Sequence, residues 1–190
     1  MEAPILETER LILRPFTGDD VDSMIREILS DPDVMVTLPE APANHEEQRK
    51  MAQTDYIDGY SQLWVTESYG GWAVCSGVDE LATPGMLLGF CGFSPSQLGD
   101  EDAELAFGYG KAHWGKGIGF EAANASVDWY FQNPNHNCMD VCHYAGNAGS
   151  KKIIENLGFK YIEDKDLWGS VEHGRGLMPT YILDRRTYAD

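Results

Sequence analysis

The sequence predicts a mixed α/β fold in one domain over residues 1–190. Strand-like apolar runs alternate with segments whose apolar residues recur at helical spacing, and a glycine-rich turn joins one such strand directly to a long helix. No repeat, low-complexity tract or linker divides the chain. With 190 residues, 43% of them hydrophobic, there is material for one sizeable core.

The elements follow in order. Leu6 to Phe16 (LETERLILRPF) reads as a first strand ended by Pro15. Asp19 or Asp20 can cap a helix in which Val21, Met24, Ile25, Ile28 and Leu29 recur at helical spacing until Asp31-Pro32 stops them. Pro39, Pro42 and Asn44 mark a loop, and Asn44 with Glu47 forms a capping-box pattern that opens a more polar helix through about Tyr60. Trp72 to Cys75 and Met86 to Phe93 are β-type runs joined by a Gly/Asp/Pro-rich connection, which predicts a hairpin. Ala103 to Tyr109 is another strand, followed by the glycine turn, a helix to about Phe131, and a strand from Cys138 to His143. Asn147 opens a last helix that ends at Leu157-Gly158, with further strands at Phe159 to Glu163 and Thr180 to Asp184. The glycine-rich stretch from Leu167 to Gly176 matches no pattern.

Composition narrows the function. There are 14 Lys and Arg against 31 Asp and Glu, a net charge of −17, which argues against a nucleic-acid partner because phosphate backbones demand clustered cations. The same acidity suits a cationic substrate such as an amine, or simply solubility. No run of about 18 apolar residues spans a bilayer and the N-terminus lacks signal-peptide character, so a cytoplasmic protein without a membrane partner is expected. The four cysteines are sparse, and the spacing of Cys138 and Cys142 near His143 is not that of a zinc site, so reduced thiols and no metal are expected. Trp64, Trp72, Trp129 and Trp168 read as core, while a homodimer interface stays open.

The stretch from Glu104 to Ala122 (ELAFGYGKAHWGKGIGFEA) carries the chemistry. Gly115, Gly117 and Gly119 let backbone N–H groups approach a ligand, and the helix that starts there adds unpaired donors and partial positive charge, which suits a pyrophosphate. The spacing excludes a Walker loop, since Gly117 follows Lys116, and it does not supply the GxGxxG of dinucleotide folds. A plain tight turn is the alternative on this stretch alone.

His113 to Ala122 (HWGKGIGFEA) resembles the acetyl-CoA pyrophosphate loop of the GNAT superfamily, with Trp114 in place of the usual Gln or Arg. That WGKG form followed by Glu-Ala, the LETERLILRPF opening, and Asn147-Ala-Gly-Ser150 leading to Asn156-Leu-Gly-Phe159 together resemble the ribosomal-protein N-terminal alanine/serine acetyltransferase subgroup. The resemblance implies a central, mostly antiparallel sheet of six to seven strands with helices on both faces. It also implies acetyl-CoA as cosubstrate, bound by Trp114, Gly115, Lys116, Gly117, Ile118, Gly119 and Phe120, with Asn147 on the pantetheine arm and Ser150 near the thiol. Locally, Asn147 with Ser150 reads first as ordinary helix capping, which only the resemblance reverses, and Lys116 is equally an exposed solubilising lysine. Lys111, Lys116, Lys151 and Lys152 gather cations where the resemblance places the phosphates.

In such folds the strands before the loop and before the last helix splay apart, and the thioester lies between them. The resemblance then makes Phe107 the N–H donor to the carbonyl and Glu104 the general base; Ile154 stands where many members carry a tyrosine, which leaves the proton for the thiolate to Ser150, to a water, or to no dedicated acid. Tyr109 and His143 read as packing residues. The implied partner is an amine acceptor, a peptide N-terminus or a small cationic amine such as a polyamine or aminoglycoside; a non-catalytic acyl-CoA-binding domain is the other alternative. Acid-rich stretches at Glu40 to Asp58 and around Gly99 to Asp102 offer a cationic-substrate groove or a solvated surface.

Overall fold

The computed structural model describes residues 3–38, 41–99 and 103–188, so Pro39, Glu40 and the acids of 100–102 lie outside the described residues. Its strands are β1 (Leu6–Glu7), β2 (Leu11–Arg14), β3 (Gly71–Ser76), β4 (Leu87–Ser94), β5 (Glu104–Tyr109), β6 (Cys138–Cys142), β7 (Lys160–Lys165) and β8 (Met178–Asp184). They form one sheet in the order β1-β2-β3-β4-β5-β6-β8-β7, antiparallel throughout except between β5 and β6.

The mixed, mostly antiparallel architecture is the expected one, but the described sheet has eight strands because the first stretch is two. Thr8 turns the chain: its N–H donates to the Leu11 carbonyl at 3.0 Å while its hydroxyl accepts from the Leu11 N–H at 3.0 Å. Residues 6–14 therefore fold into a hairpin with Leu6 opposite Leu13.

The first helix begins where the acids predicted. Asp20 accepts from the Thr17 N–H at 2.8 Å and pairs with Arg14, then α1 (Val21–Met24) runs on as a π-helical segment over Ile25–Leu29. All five periodic apolar residues are buried. Asp31-Pro32 ends this helix and also starts another, α2 (Pro32–Met35), since a proline at the first helical position gives up an N–H that had no partner. Asn44 caps α3 (His45–Met51) through the Glu47 N–H at 3.0 Å. That helical run passes Tyr60, continuing through a π-helical segment, Ala52–Asp58, into α4 (Gly59–Thr66). The remaining helices are α5 (Ile118–Tyr130), α6 (Ala148–Asn156), with Gly158 in the left-handed region after it, and α7 (Arg185–Tyr188). Among the described residues no helix is long and apolar enough to cross a membrane.

Strand β3 shows how the sheet is covered on both faces. Trp72 and Val74 join a core with α5 and α6 residues such as Val127 and Ile154, while Ala73 and Cys75 join a second core with Met24, Ile28 and Ile57. No cysteine is in a disulfide. Trp64 and Trp72 are core as expected and Trp129 packs against them, but Trp168 is 37% exposed. The Trp72 ring is wholly buried, with centroids 4.8 Å from Trp64 and 5.2 Å from Trp129. Trp72→Ala is therefore expected to cost about 3–5 kcal/mol of stability, read from the shift in urea midpoint.

Candidate active site

Strands β5 and β6 share one registered pair, Glu104 with Asp140, held by the Asp140 N–H on the Ala103 carbonyl at 2.9 Å. Two cavities lie along the gap beyond it. The larger, about 1040 Å³, runs between the end of β5, the glycine turn and the start of α6. The smaller, about 270 Å³, is walled by Glu104, Cys142, Tyr56, Tyr60 and Trp168 among others. Thr37, Phe107, Tyr144, Asn147 and Ser150 line both, so the two spaces meet at those residues.

The larger cavity is built by the turn. Gly115 and Gly117 take φ of +73° and +80°, which a side chain would strain, and α5 starts immediately after with its first-turn donors unpaired within the helix. A Cβ on Gly119 would meet Ile153 Cδ1 at 2.7 Å and Tyr109 Cε2 at 3.1 Å, so a glycine lets α5 close on α6 and β5. Trp114 is fixed by its indole N–H on the Tyr109 carbonyl at 2.7 Å, yet remains 46% exposed, and with Phe120 it lines the cavity.

The predicted site residues mostly converge here. Trp114, Gly115, Gly117, Ile118, Gly119, Phe120, Phe107, Asn147 and Ser150 all line the larger cavity. Lys116 does not; its carbonyl accepts from Arg10 at 3.0 Å. Lys111 and Lys152 line it, with Lys111 paired to Asp33, while Lys151 pairs with Glu155 at 3.8 Å.

A clamp that sequence reasoning missed holds this turn from outside. The Glu121 carboxylate accepts from the Thr8 hydroxyl at 2.6 Å, the Arg10 N–H at 2.9 Å and Arg10 Nε at 2.8 Å. Burial pushes that carboxyl upward, but the donors on Thr8 and Arg10 outweigh it and hold the group below the usual range. Both partners sit within recognisable motifs; nothing in their local pattern pairs residues 111 positions apart.

At the smaller cavity Glu104 is 5% exposed, and its Oε1 accepts from the Cys142 thiol at 3.3 Å. Burial first, then the charge of Asp140, pushes its carboxyl up to about 8, with the thiol opposing them. A carboxyl that titrates near neutrality can exchange protons with an amine. Asn147 is the cap of α6, its Oδ1 accepting from the Ser150 N–H at 3.1 Å, so the capping geometry and the place beside both cavities coexist. Ile154 is wholly buried and brings no hydroxyl. His143 is occupied by the Tyr144 carbonyl at 2.8 Å and the Tyr181 hydroxyl at 3.2 Å, a packing role, and the Tyr109 hydroxyl is buried.

The stretch without a pattern turns out to wall the smaller cavity. Trp168 lines it, Asp166 accepts from Ser170 Oγ and the Val171 N–H, and Arg175 donates to the Leu38 carbonyl while lying 4.8 Å over the Tyr144 ring. Tyr144 and Thr37 were not singled out from sequence and Trp168 was read as core, because their place depends on segments that meet only in the folded chain.

Comparison with known proteins gives one family. The model of the acetyltransferase (GNAT) domain matches residues 10–160. The uncharacterized N-acetyltransferase p20 of Bacillus licheniformis is 27% identical over 188 residues, 97% of this chain and 98% of that protein. The ribosomal-protein-S5-alanine acetyltransferase from Vibrio fischeri is similar in structure, with a TM-score of 0.76 at 16% identity over 98% of this chain and 99% of that one. RimL, a ribosomal L7/L12 alpha-N-protein acetyltransferase in complex with coenzyme A, gives 0.75 at 15% identity over 98% and 100%. At these identities the structural likeness bears on the fold.

Removing the clamp should loosen the turn without touching a ligand. Glu121→Ala is expected to weaken acetyl-CoA binding by about 1 kcal/mol, roughly 5-fold in Kd by calorimetry, because it removes the acceptor that ties Arg10 to the start of α5 while water can still reach the arginine.

Proposed function

The chain belongs to the GNAT family of N-acetyltransferases, enzymes that use acetyl-CoA, and we propose that its acceptor is a protein N-terminal α-amine. What carries the proposal is the meeting of the two cavities at Phe107, Asn147 and Ser150, with Glu104 buried on the smaller side. The larger cavity fits the cofactor on its own geometry: left-handed glycines and the start of α5 suit a pyrophosphate, and Lys152 adds positive charge, while Lys111 is balanced by Asp33 in the same wall. The cofactor supplies an acetyl group activated as a thioester.

The protein's own groups do the rest. The Phe107 N–H, on the strand edge facing the gap, is the candidate donor to the thioester carbonyl, and donors preorganised at such a place stabilise charge that develops in attack. Glu104 takes the proton of the incoming amine, and Ser150, at the junction, is placed to return a proton to the leaving sulfur. The choice of acceptor rests on matching. An α-amine with a pKa of about 7.7–8.0 loses its proton to a carboxylate at about 8 with almost no penalty, whereas a lysine-like or polyamine nitrogen at about 10.4 costs roughly 3 kcal/mol more. Asp55 in the same cavity wall also favours a cationic acceptor over an acidic one.

Thiol release measured across peptide N-termini and polyamines tests the acceptor: turnover with peptides and little with polyamines is expected, and the reverse would sink the α-amine assignment. Glu104→Gln should lower turnover by roughly 10²–10⁴-fold while leaving acetyl-CoA affinity in place; full activity would remove Glu104 from the chemistry. Because the base works deprotonated, kcat/KM should rise as pH climbs through about 8 and fall below it.

A further inference from the structure

Cys142 has no task in the chemistry above, yet its surroundings give it one. It stands two residues beyond Asp140, on the same face of β6, lines the smaller cavity, and donates its S–H to Glu104 Oε1 at 3.3 Å. Asp140, 1% exposed, faces Glu104 in register from that same strand. Two carboxyl groups therefore crowd one buried place, and the donor reaching Glu104 is a thiol. Resting on the reading of Glu104 as the base, we propose that Cys142 is its positioning residue: the thiol holds Oε1, leaves Oε2 to receive the amine proton, and favours the ionised carboxylate against the neighbouring Asp140.

A thiol suits this position. Its S–H is a weak donor, so it orients the carboxylate without removing its basicity, whereas a lysine or arginine in its place would drive the carboxyl well down and leave a poor base. Burial, then the charge of Glu104, pushes the Cys142 thiol itself upward, so it stays protonated and does not compete with the amine as a nucleophile. The titratable groups facing this spot are Asp140, Cys142 and His143 from β6 and its end, Asp55, Tyr56 and Tyr60 from the helical run before β3, and Tyr144. Of these, Cys142 donates a hydrogen bond to the Glu104 carboxylate.

The test is the pH profile of kcat at saturating acceptor, where titration of the unbound amine drops out, for Cys142→Ala, Cys142→Ser and Glu104→Gln beside the unaltered protein, with a melting curve for each. The alanine variant should shift the acid limb upward by about half a pH unit or more, and the serine variant, which keeps an O–H donor, should bring it back. Glu104→Gln should abolish the limb. If Ala and Ser both keep the original limb and differ only in melting temperature, Cys142 merely packs and the proposal falls while Glu104 stands. A limb that persists in Glu104→Gln overturns the base reading and this proposal together.

Discussion

The junction of β5 and β6 is the one parallel contact in a sheet that is otherwise antiparallel, and the site depends on it. Parallel neighbours cannot be joined by a tight turn, so the chain must cross over a face of the sheet, and α5 is that crossover. The crossover brings the start of α5 to the end of β5, where a ligand can use the donors that a helix leaves unpaired. Because the strands agree on one pair and then part, β5 keeps a backbone edge facing the gap. The same junction forces Glu104 and Asp140 together out of water, and this crowding gives Glu104 its basicity near neutral pH.

The sequence was most legible where local rules decide. The periodic apolar residues of 21–29, the caps at Asn44 and Asn147, the β3–β4 hairpin and the glycine turn each follow from a few neighbouring residues, and each stands where expected. Glu104 could be named from its strand and from resemblance, but its raised proton affinity could not, since that comes first from burial in the folded chain and then from Asp140, on a strand more than thirty residues on.

What stayed hidden was set by long-range contact. Thr8 breaks the first strand because its neighbours answer to Glu121, and no pattern within LETERLILRPF says so. The π-helical segments look like ordinary helix in sequence; the i to i−5 bonds at Ser30 and Gly59 show only in the folded chain. Lys116 has the charge for a phosphate, but it is the lysine's carbonyl that is engaged, by Arg10. The stretch 167–176 gave no signal because glycines and a left-handed Trp168 have no period, yet its Arg175 reaches across to both Leu38 and Tyr144.

The Arg10–Glu121 clamp also ties two distant parts of the chain together. The carboxylate that fixes the hairpin at residues 6–14 lies 111 positions beyond Arg10, in the helix that follows the glycine turn. Neither piece is complete without the other, and closing so long a loop is slow compared with forming a local helix or hairpin. A ligand seated on the glycine turn would stabilise the hairpin along with it, so occupancy of the larger cavity and protection of residues 6–14 would rise together.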